Sequence, residues 1–200
     1  MEQLTKAAKQ RHSEVLVVCS NDRSGLPYWI LGSFSETATL TASYPLLVIK
    51  PTSAKGLFSK EVRFVLSIDV AEIPSSNYLR WIAMTAKISN ALLYLVYVRP
   101  RRRKIVGSLQ SPKDSVDAEN ILSKIQSFFE TAGIRTQSNI LKESKSIAHS
   151  LAQFSDSRKA WLTISTHVKR SRVRKLILGS TARRFLKLTK RPFLHLRLNS

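Results

Sequence analysis

The sequence holds one cysteine, Cys19, in 200 residues. No internal disulfide can form, and without a CxxC pair or a Cys/His cluster there are no ligands for structural zinc, so a reducing cytoplasm is the natural compartment. Acidic residues are also scarce: 13 Asp and Glu stand against 33 Lys and Arg, a formal net charge of +20. A surplus of that size attracts polyanions through long-range fields and counterion release, without naming one. Long apolar runs are missing as well. The longest, ALLYLVYV at 91–98, falls far short of the roughly 20 residues that span a bilayer. The opening MEQLTKAAKQRHSE lacks the apolar core of a secretion signal. These absences predict a soluble, cytoplasmic chain with no membrane contact.

What is present is ordinary globular material, 43% hydrophobic and 23% charged, with none of the low hydrophobicity that enforces disorder. Its length suits one large domain, or one domain and a piece of another. The charge is unevenly spread. RRRK at 101–104 forms one cluster, and no acidic residue interrupts the stretch from Lys169 to Arg197, which carries eleven Lys and Arg.

Internal similarity sets the domain organisation. A shift of 147 places lays VCSNDRSGLPYWILGSFSETATLTASYPLLVIK over STHVKRSRVRKLILGSTARRFLKLTKRPFLHLR without a gap, so that Arg23 falls on Arg170, Ile30-Leu31-Gly32-Ser33 on Ile177-Leu178-Gly179-Ser180, Pro45 on Pro192 and Leu47 on Leu194. Residues 1–51 therefore read as the closing part of a first copy, 52–60 as a linker and 61–200 as a complete second copy.

In the complete copy, strand and helix patterns alternate. Continuous apolar runs at 62–70 and 91–98 have the composition of parallel strands covered on both faces. Between them, Leu79, Ile82, Ala83, Ala86 and Ile88 outline a helical stripe. A second stripe, of Val116, Ile121, Leu122, Ile125, Phe128 and Phe129, ends at Gly133 as at a helix C-cap. Strands at 134–141, 160–166 and 193–198 and helices at 144–155 and about 174–188 complete the pattern. The first copy keeps a helix at 2–10, a strand at 15–19, a helix at about 28–41 and a strand at 46–50. Such alternation predicts an open parallel α/β sheet with any ligand at the carboxyl ends of the strands.

The stretch DRSGLPYWILGSFSETATLTASYPLLVIKP resembles the closing motif of the universal stress protein family, G-x2-G-x9-G-[ST] followed by a helix, a proline and a last apolar strand. The resemblance extends over nearly the whole chain and marks it as similar to tandem members. It implies a flavodoxin-like five-stranded sheet of order 3-2-1-4-5, and a pseudo-dimer in which the terminal strands of the two copies pair. It also implies a question of ATP, because some family members bind it and others do not. The motif glycines let bare backbone approach phosphates, beside a helix N-terminus whose free N–H groups favour anions. Counted back from Gly179, the first two glycine positions hold Thr166 and Lys169; counted back from Gly32, they hold Cys19 and Asp22.

By the same resemblance, Asp69 matches the acid near adenine, Val98 a wall of the base pocket, and Gly179 with Ser180 the surviving phosphate corner, where Lys169 or Arg170 could substitute charge for backbone. Each has a plainer reading: Asp69 as a strand-end residue, Ser180 as a helix N-cap, Cys19 and the tryptophans Trp29, Trp81 and Trp161 as packing. His167 has no Ser/His/Asp constellation or carboxylate pair around it, so neither a catalytic residue nor a metal site is expected. Arg101, Arg102, Arg103 and Lys104, with Arg183, Arg184 and Lys187 on the outer side of the last helix, form a candidate polyanion surface without sequence preference.

The leading expectation is a noncatalytic regulatory or interaction module with weak or no nucleotide binding and no required cofactor. The alternatives are an ATP-binding switch and a nonspecific nucleic-acid binder. The expected partner is a protein, or a second copy meeting the terminal strands in a homodimer. Two arrangements satisfy the short first copy: a fragment of a longer tandem chain, or a half copy docked on the complete one.

Overall fold

The computed structural model describes residues 2–19, 45–50, 61–70, 73–101, 113–166 and 180–196. Along the chain these form α1 (Glu2–Gln10), β1 (Leu16–Cys19), β2 (Leu46–Ile49), β3 (Arg63–Ser67), α2 (Ser76–Ile88), β4 (Leu92–Arg99), α3 (Lys113–Thr131), β5 (Thr136–Lys142), α4 (Ile147–Ser157), β6 (Leu162–Thr166), α5 (Ser180–Leu188) and β7 (Phe193–Leu196).

Local chemistry accounts for the boundaries. The Ser146 hydroxyl accepts from the His149 N–H at 3.1 Å and caps α4, satisfying one of the donors a helix start leaves open. At the end of α3, Gly133 takes φ +78°, a conformation that costs a side chain dearly. Its N–H reaches the Glu130 carbonyl at 2.9 Å, and the next N–H, of Ile134, reaches Phe129 at 3.0 Å. This returns the chain to β5.

The strands make one seven-stranded sheet in the order β1-β2-β7-β6-β3-β4-β5. Its β5-β4-β3-β6-β7 part is the expected 3-2-1-4-5 layer, parallel throughout. The two strands from the front of the chain extend it: β2 pairs antiparallel with β7, centred on Leu47 opposite Leu194, and β1 runs parallel to β2.

Two registers coincide under the 147-residue shift. Leu16 pairs with Leu46 as Thr163 pairs with Phe193, and Cys19 with Ile49 as Thr166 with Leu196. The Leu16 N–H donates to the Pro45 carbonyl at 2.9 Å, and the Thr163 N–H to the Pro192 carbonyl at 3.0 Å. The terminal strands thus have both edges occupied within the chain, β2 by β1 and β7, β7 by β2 and β6. Self-association through those strands, the expected route to a homodimer, has no free backbone edge to use. Among the described residues, the open edges of the sheet lie at β1 and β5.

Helices cover both faces. One face packs Phe64, Leu66, Leu93, Leu95, Ile164 and Leu194 against Ile82, Leu122 and Phe129. The other packs Val65, Val96, Leu46, Val48 and Phe193 against Leu151, Phe185 and Leu186. Each fully buried side chain of this size contributes about 1.5–3 kcal/mol relative to exposure. Coverage on both faces explains why β4 reads as unbroken apolar sequence.

Some expectations need correction. Ile88 is 81% exposed, because nine residues beyond Leu79 at 100° per residue is half a turn out of phase with the buried stripe. Leu188, the last residue of α5, which the sequence would set on the apolar side of that helix, and Trp161, just ahead of β6, are also exposed. Trp161 still meets the Phe64 ring, with centroids 6.1 Å apart. Cys19 is a strand-end residue, as expected, but exposed and not packed. The strand at 134–141 begins only at Thr136 and the helix at 144–155 only at Ile147. The expected helix at 28–41, Trp29, His167 and the linker at 52–60 lie outside the described residues.

The amino ends of the parallel strands are tied by charge. Glu61 accepts from Arg63 Nε at 3.0 Å and from Arg135 Nη1 at 2.9 Å. Arg63 Nη1 also donates to the Arg158 carbonyl at 3.1 Å, and Arg135 Nη2 to the Asn90 carbonyl at 3.4 Å. These links join the entries to β3, β4, β5 and β6. Hydrogen bonds from the two guanidinium groups hold the Glu61 carboxyl below its usual range. A pKa lowered by folding gives a contribution that is present above the unfolded value and is lost as pH falls through the folded one. Glu61→Gln should therefore unfold slightly more easily than wild type at pH 7 in urea melts, and the difference should shrink as the pH falls below the ordinary glutamate range. In the core, Phe193→Ala on the interior strand β7 should cost about 3–5 kcal/mol, measured by the same melts at neutral pH.

Candidate functional site

The carboxyl ends of the parallel strands form the opposite rim. Beyond the last ladder pair of β3 and β4, Ser67 with Val96, the Ile68 N–H donates to the Val96 carbonyl at 2.9 Å. Two residues past that pair on each strand stand Asp69 and Val98. Asp69 is exposed and already engaged with another group; Val98 is buried in the same cluster as Leu141. Across β3, Ser67 pairs with Ser165, so Thr166, the last residue of β6, stands level with Ile68.

Three of the expected nucleotide positions, Asp69, Val98 and Thr166, therefore meet at one end of three adjacent strands. Thr166 is half-buried and keeps strand pairing with Leu196. By the family resemblance its position is that of the first motif glycine. Ser180 opens α5, as expected of a helix start. Lys169, Arg170 and Gly179 lie outside the described residues.

The basic residues divide into two groups. Arg183, Arg184 and Lys187 belong to α5, which leads into β7 on one side of β3 in the strand order. Arg101 follows β4 on the other side. Arg184 is exposed, whereas Arg183 and Lys187 are half-buried, so the strip on α5 is narrower than the helical pattern implies. Arg102, Arg103 and Lys104 lie outside the described residues.

At the β4 corner the structure adds two cations that periodicity could not group with Arg101. Arg99 stands directly opposite Lys142 in the β4–β5 ladder. Like charges in that position repel. Glu143 is the adjacent counterweight: its carboxylate accepts the Arg101 backbone N–H at 2.6 Å, and its own N–H donates to the Arg99 carbonyl at 3.0 Å. The Arg101 side chain is not used in that bond.

A serine–histidine pair also escaped sequence reasoning. Ser165 Oγ and His195 Nδ1 are 2.8 Å apart on the neighbouring strands β6 and β7. His195 is 3% exposed and lies on the helix-covered face with Phe193, its ring 6.2 Å from that of Phe193 and nearly parallel to it. Ser165 is half-buried, and the contact links β6 to β7. The signal would have been two polar residues facing each other across neighbouring strands, which becomes visible only once the register is known. Among the described residues no three His, Cys, Asp or Glu side chains group as a metal site. Among them, too, no helix is long and apolar enough to cross a membrane.

Comparison with known proteins accords with this geometry. A universal stress protein from Archaeoglobus fulgidus superimposes with a TM-score of 0.54 at 22% identity, covering 68% of this chain and 93% of its own. Another from the same organism, strain DSM 4304, gives 0.69 at 16% identity and covers 98% of this chain. Only 66% of that longer relative is matched, so this chain spans about two thirds of its length. A third structure is the Archaeoglobus fulgidus universal stress protein in complex with dAMP, at a TM-score of 0.52 and 20% identity over 69% of this chain and 99% of that one. No curated protein matches in sequence. The model of the universal stress protein family matches residues 65–197, and by that match, together with the 3-2-1-4-5 layer, the chain belongs to the universal stress protein family.

Proposed function

We propose that this protein is a noncatalytic regulatory or interaction module of the universal stress type in which the nucleotide cradle has been closed by side chains. The observation that carries the reading is Thr166: a β-branched residue with strand geometry, half-buried at the end of β6, where the motif calls for bare backbone. Lys169 at the next motif position compounds it. Asp69 and Val98 remain at their strand ends, but the residues at the phosphate end do not fit ATP as the glycines of the motif would. The dAMP-bound relative shares the fold at an identity too low to carry its ligand across.

We also read residues 1–51 as the closing part of a first universal stress copy. The support is the identical β1–β2 and β6–β7 registers, and the pairing of Leu47 with its own repeat equivalent, Leu194. An antiparallel pair centred on equivalent residues is what a pseudo-twofold axis between two copies requires. The longer Archaeoglobus relative, which aligns with 98% of this chain, has a counterpart for this part as well.

Calorimetric titration of the full chain with magnesium ATP should show no saturable heat up to millimolar nucleotide. The double variant Thr166→Gly, Lys169→Gly should bind at least about tenfold more tightly, a gain of roughly 1.4 kcal/mol. Saturable binding by the unaltered chain that disappears in Asp69→Ala would instead establish the ATP-switch alternative.

A second reading, nonspecific polyanion binding, is favoured by the Arg99–Lys142 pair beside Arg101 and by the net charge of +20. Repulsion inside that corner would be relieved by a phosphate. Duplex DNA should bind without sequence preference, and neutralising about three phosphates should give a slope near −3 in a plot of log affinity against log salt. Arg99→Ala with Arg101→Ala should flatten the slope by about two if this corner is the contact, and Arg183→Glu with Arg184→Glu should do so if α5 is. A salt-independent affinity removes the reading.

A further inference from the structure

We infer that the outer edge of β1 is an acceptor for one parallel strand of the β3 type, the opening strand of another universal stress unit. The inference rests on the reading of residues 1–51 as a partial copy and is independent of whether nucleotide binds. Its starting point is what the equivalent strand does. β6 uses one edge for β7 and the other for β3, with Phe64, Val65, Leu66 and Ser67 opposite Leu162, Thr163, Ile164 and Ser165. β1 uses one edge for β2 in the same register, and among the described residues no strand pairs along its other edge.

Burial separates the two strands in the same way. Ile164 is fully buried among the residues of β3, α2 and α3, whereas its equivalent Val17 is 57% exposed. The other side of β1 is served already, since Leu16 and Val18 pack on the cluster that holds Leu46 and Val48. What β1 lacks among the described residues is therefore the neighbour that β3 provides to β6: a backbone edge together with an apolar cover for Val17. Hydrogen-bond direction agrees. The Leu16 N–H points to β2, and alternation along a strand turns the Val17 N–H and C=O to the open side. An edge of this kind is a template for strand addition, and the shift fixes its register. Leu16 would face the position of Val65, Val17 that of Leu66, Val18 that of Ser67 and Cys19 that of Ile68.

The exposed Cys19 makes that register measurable. The probe is a synthetic peptide of residues 61–70 carrying Ile68→Cys, mixed with the full chain under a glutathione redox buffer and followed by mass spectrometry. Directly paired strand positions fall within the Cα separation that a disulfide accepts. The Ile68→Cys peptide should be trapped on Cys19 at least tenfold more than a peptide carrying Phe64→Cys, which an antiparallel pairing about Val17 would favour instead. Val17→Pro removes only an outward N–H, a change that edge strands tolerate, and should abolish the preference while leaving the melting curve in place. Equal trapping of both peptides, or indifference to Val17→Pro, overturns the inference. So does a homodimer of the full chain that Val17→Pro dissolves, since the occupant of the edge is then a second copy.

A separate variant distinguishes the two levels of argument. Leu47→Cys with Leu194→Cys, in a Cys19→Ser background, should oxidise internally if the pseudo-twofold pairing exists. If that disulfide forms and the peptide is not captured, the acceptor edge is refuted alone; if it does not form, the partial-copy reading fails with it.

Discussion

The sheet is joined through β7. Its four residues, Phe193 to Leu196, are all buried, and both of their backbone edges are taken, by β6 in parallel and by β2 in antiparallel. A strand so placed has no solvent to satisfy its amides, so both ladders must form together. Its surroundings reinforce this. Phe185 of α5 lies on Phe193 with ring centroids 5.0 Å apart, and Lys50, just past β2, sends its ammonium to the Thr189 carbonyl at the end of α5 at 3.0 Å. Arg191, leading into β7, pairs with Asp156 near the end of α4 at 3.2 Å. A cation near the last carbonyls of a helix is favourably placed against its dipole. Through these contacts the front of the chain, the last helix and the parallel layer become one body.

That arrangement leaves different tasks to the two ends of the strands. The amino rim is closed by Glu61 and its two arginines, which hold the loops before four strands in fixed positions. The carboxyl rim collects Asp69, Val98 and Thr166 on adjacent strands, and Arg99, Lys142 and Arg101 at the β5 side. In open α/β sheets ligands meet the protein at this end, so the side chains gathered on this rim stand where a ligand would be met.

Much of the architecture is legible in the residues alone. The alternation of strands and helices follows from apolar runs and helical stripes, because a strand covered on both faces and a helix covered on one write different periods into the sequence, whereas the 3-2-1-4-5 order is what the family resemblance implied. Gly133 marks its helix end because a positive φ has few other solutions. The 147-residue similarity is visible in the sequence, and the β1–β2 and β6–β7 ladders have the same register under that shift. Less legible are residues near element ends. Ile88 and Leu188 look apolar enough for a stripe, but their phase or terminal position turns them outward, and Cys19 reads as core although β1 has a neighbouring strand on one side alone among the described residues.

The sequence by itself determined the alternation of elements, the family motif, and the chemical character of each candidate site position, since these depend on residue type and spacing along one dimension. Only the tertiary structure decided which positions share a rung: Thr166 level with Ile68, Arg99 against Lys142, Ser165 against His195, and Leu47 against Leu194. Register arises from hydrogen bonds between segments distant in the chain, and no local period encodes it.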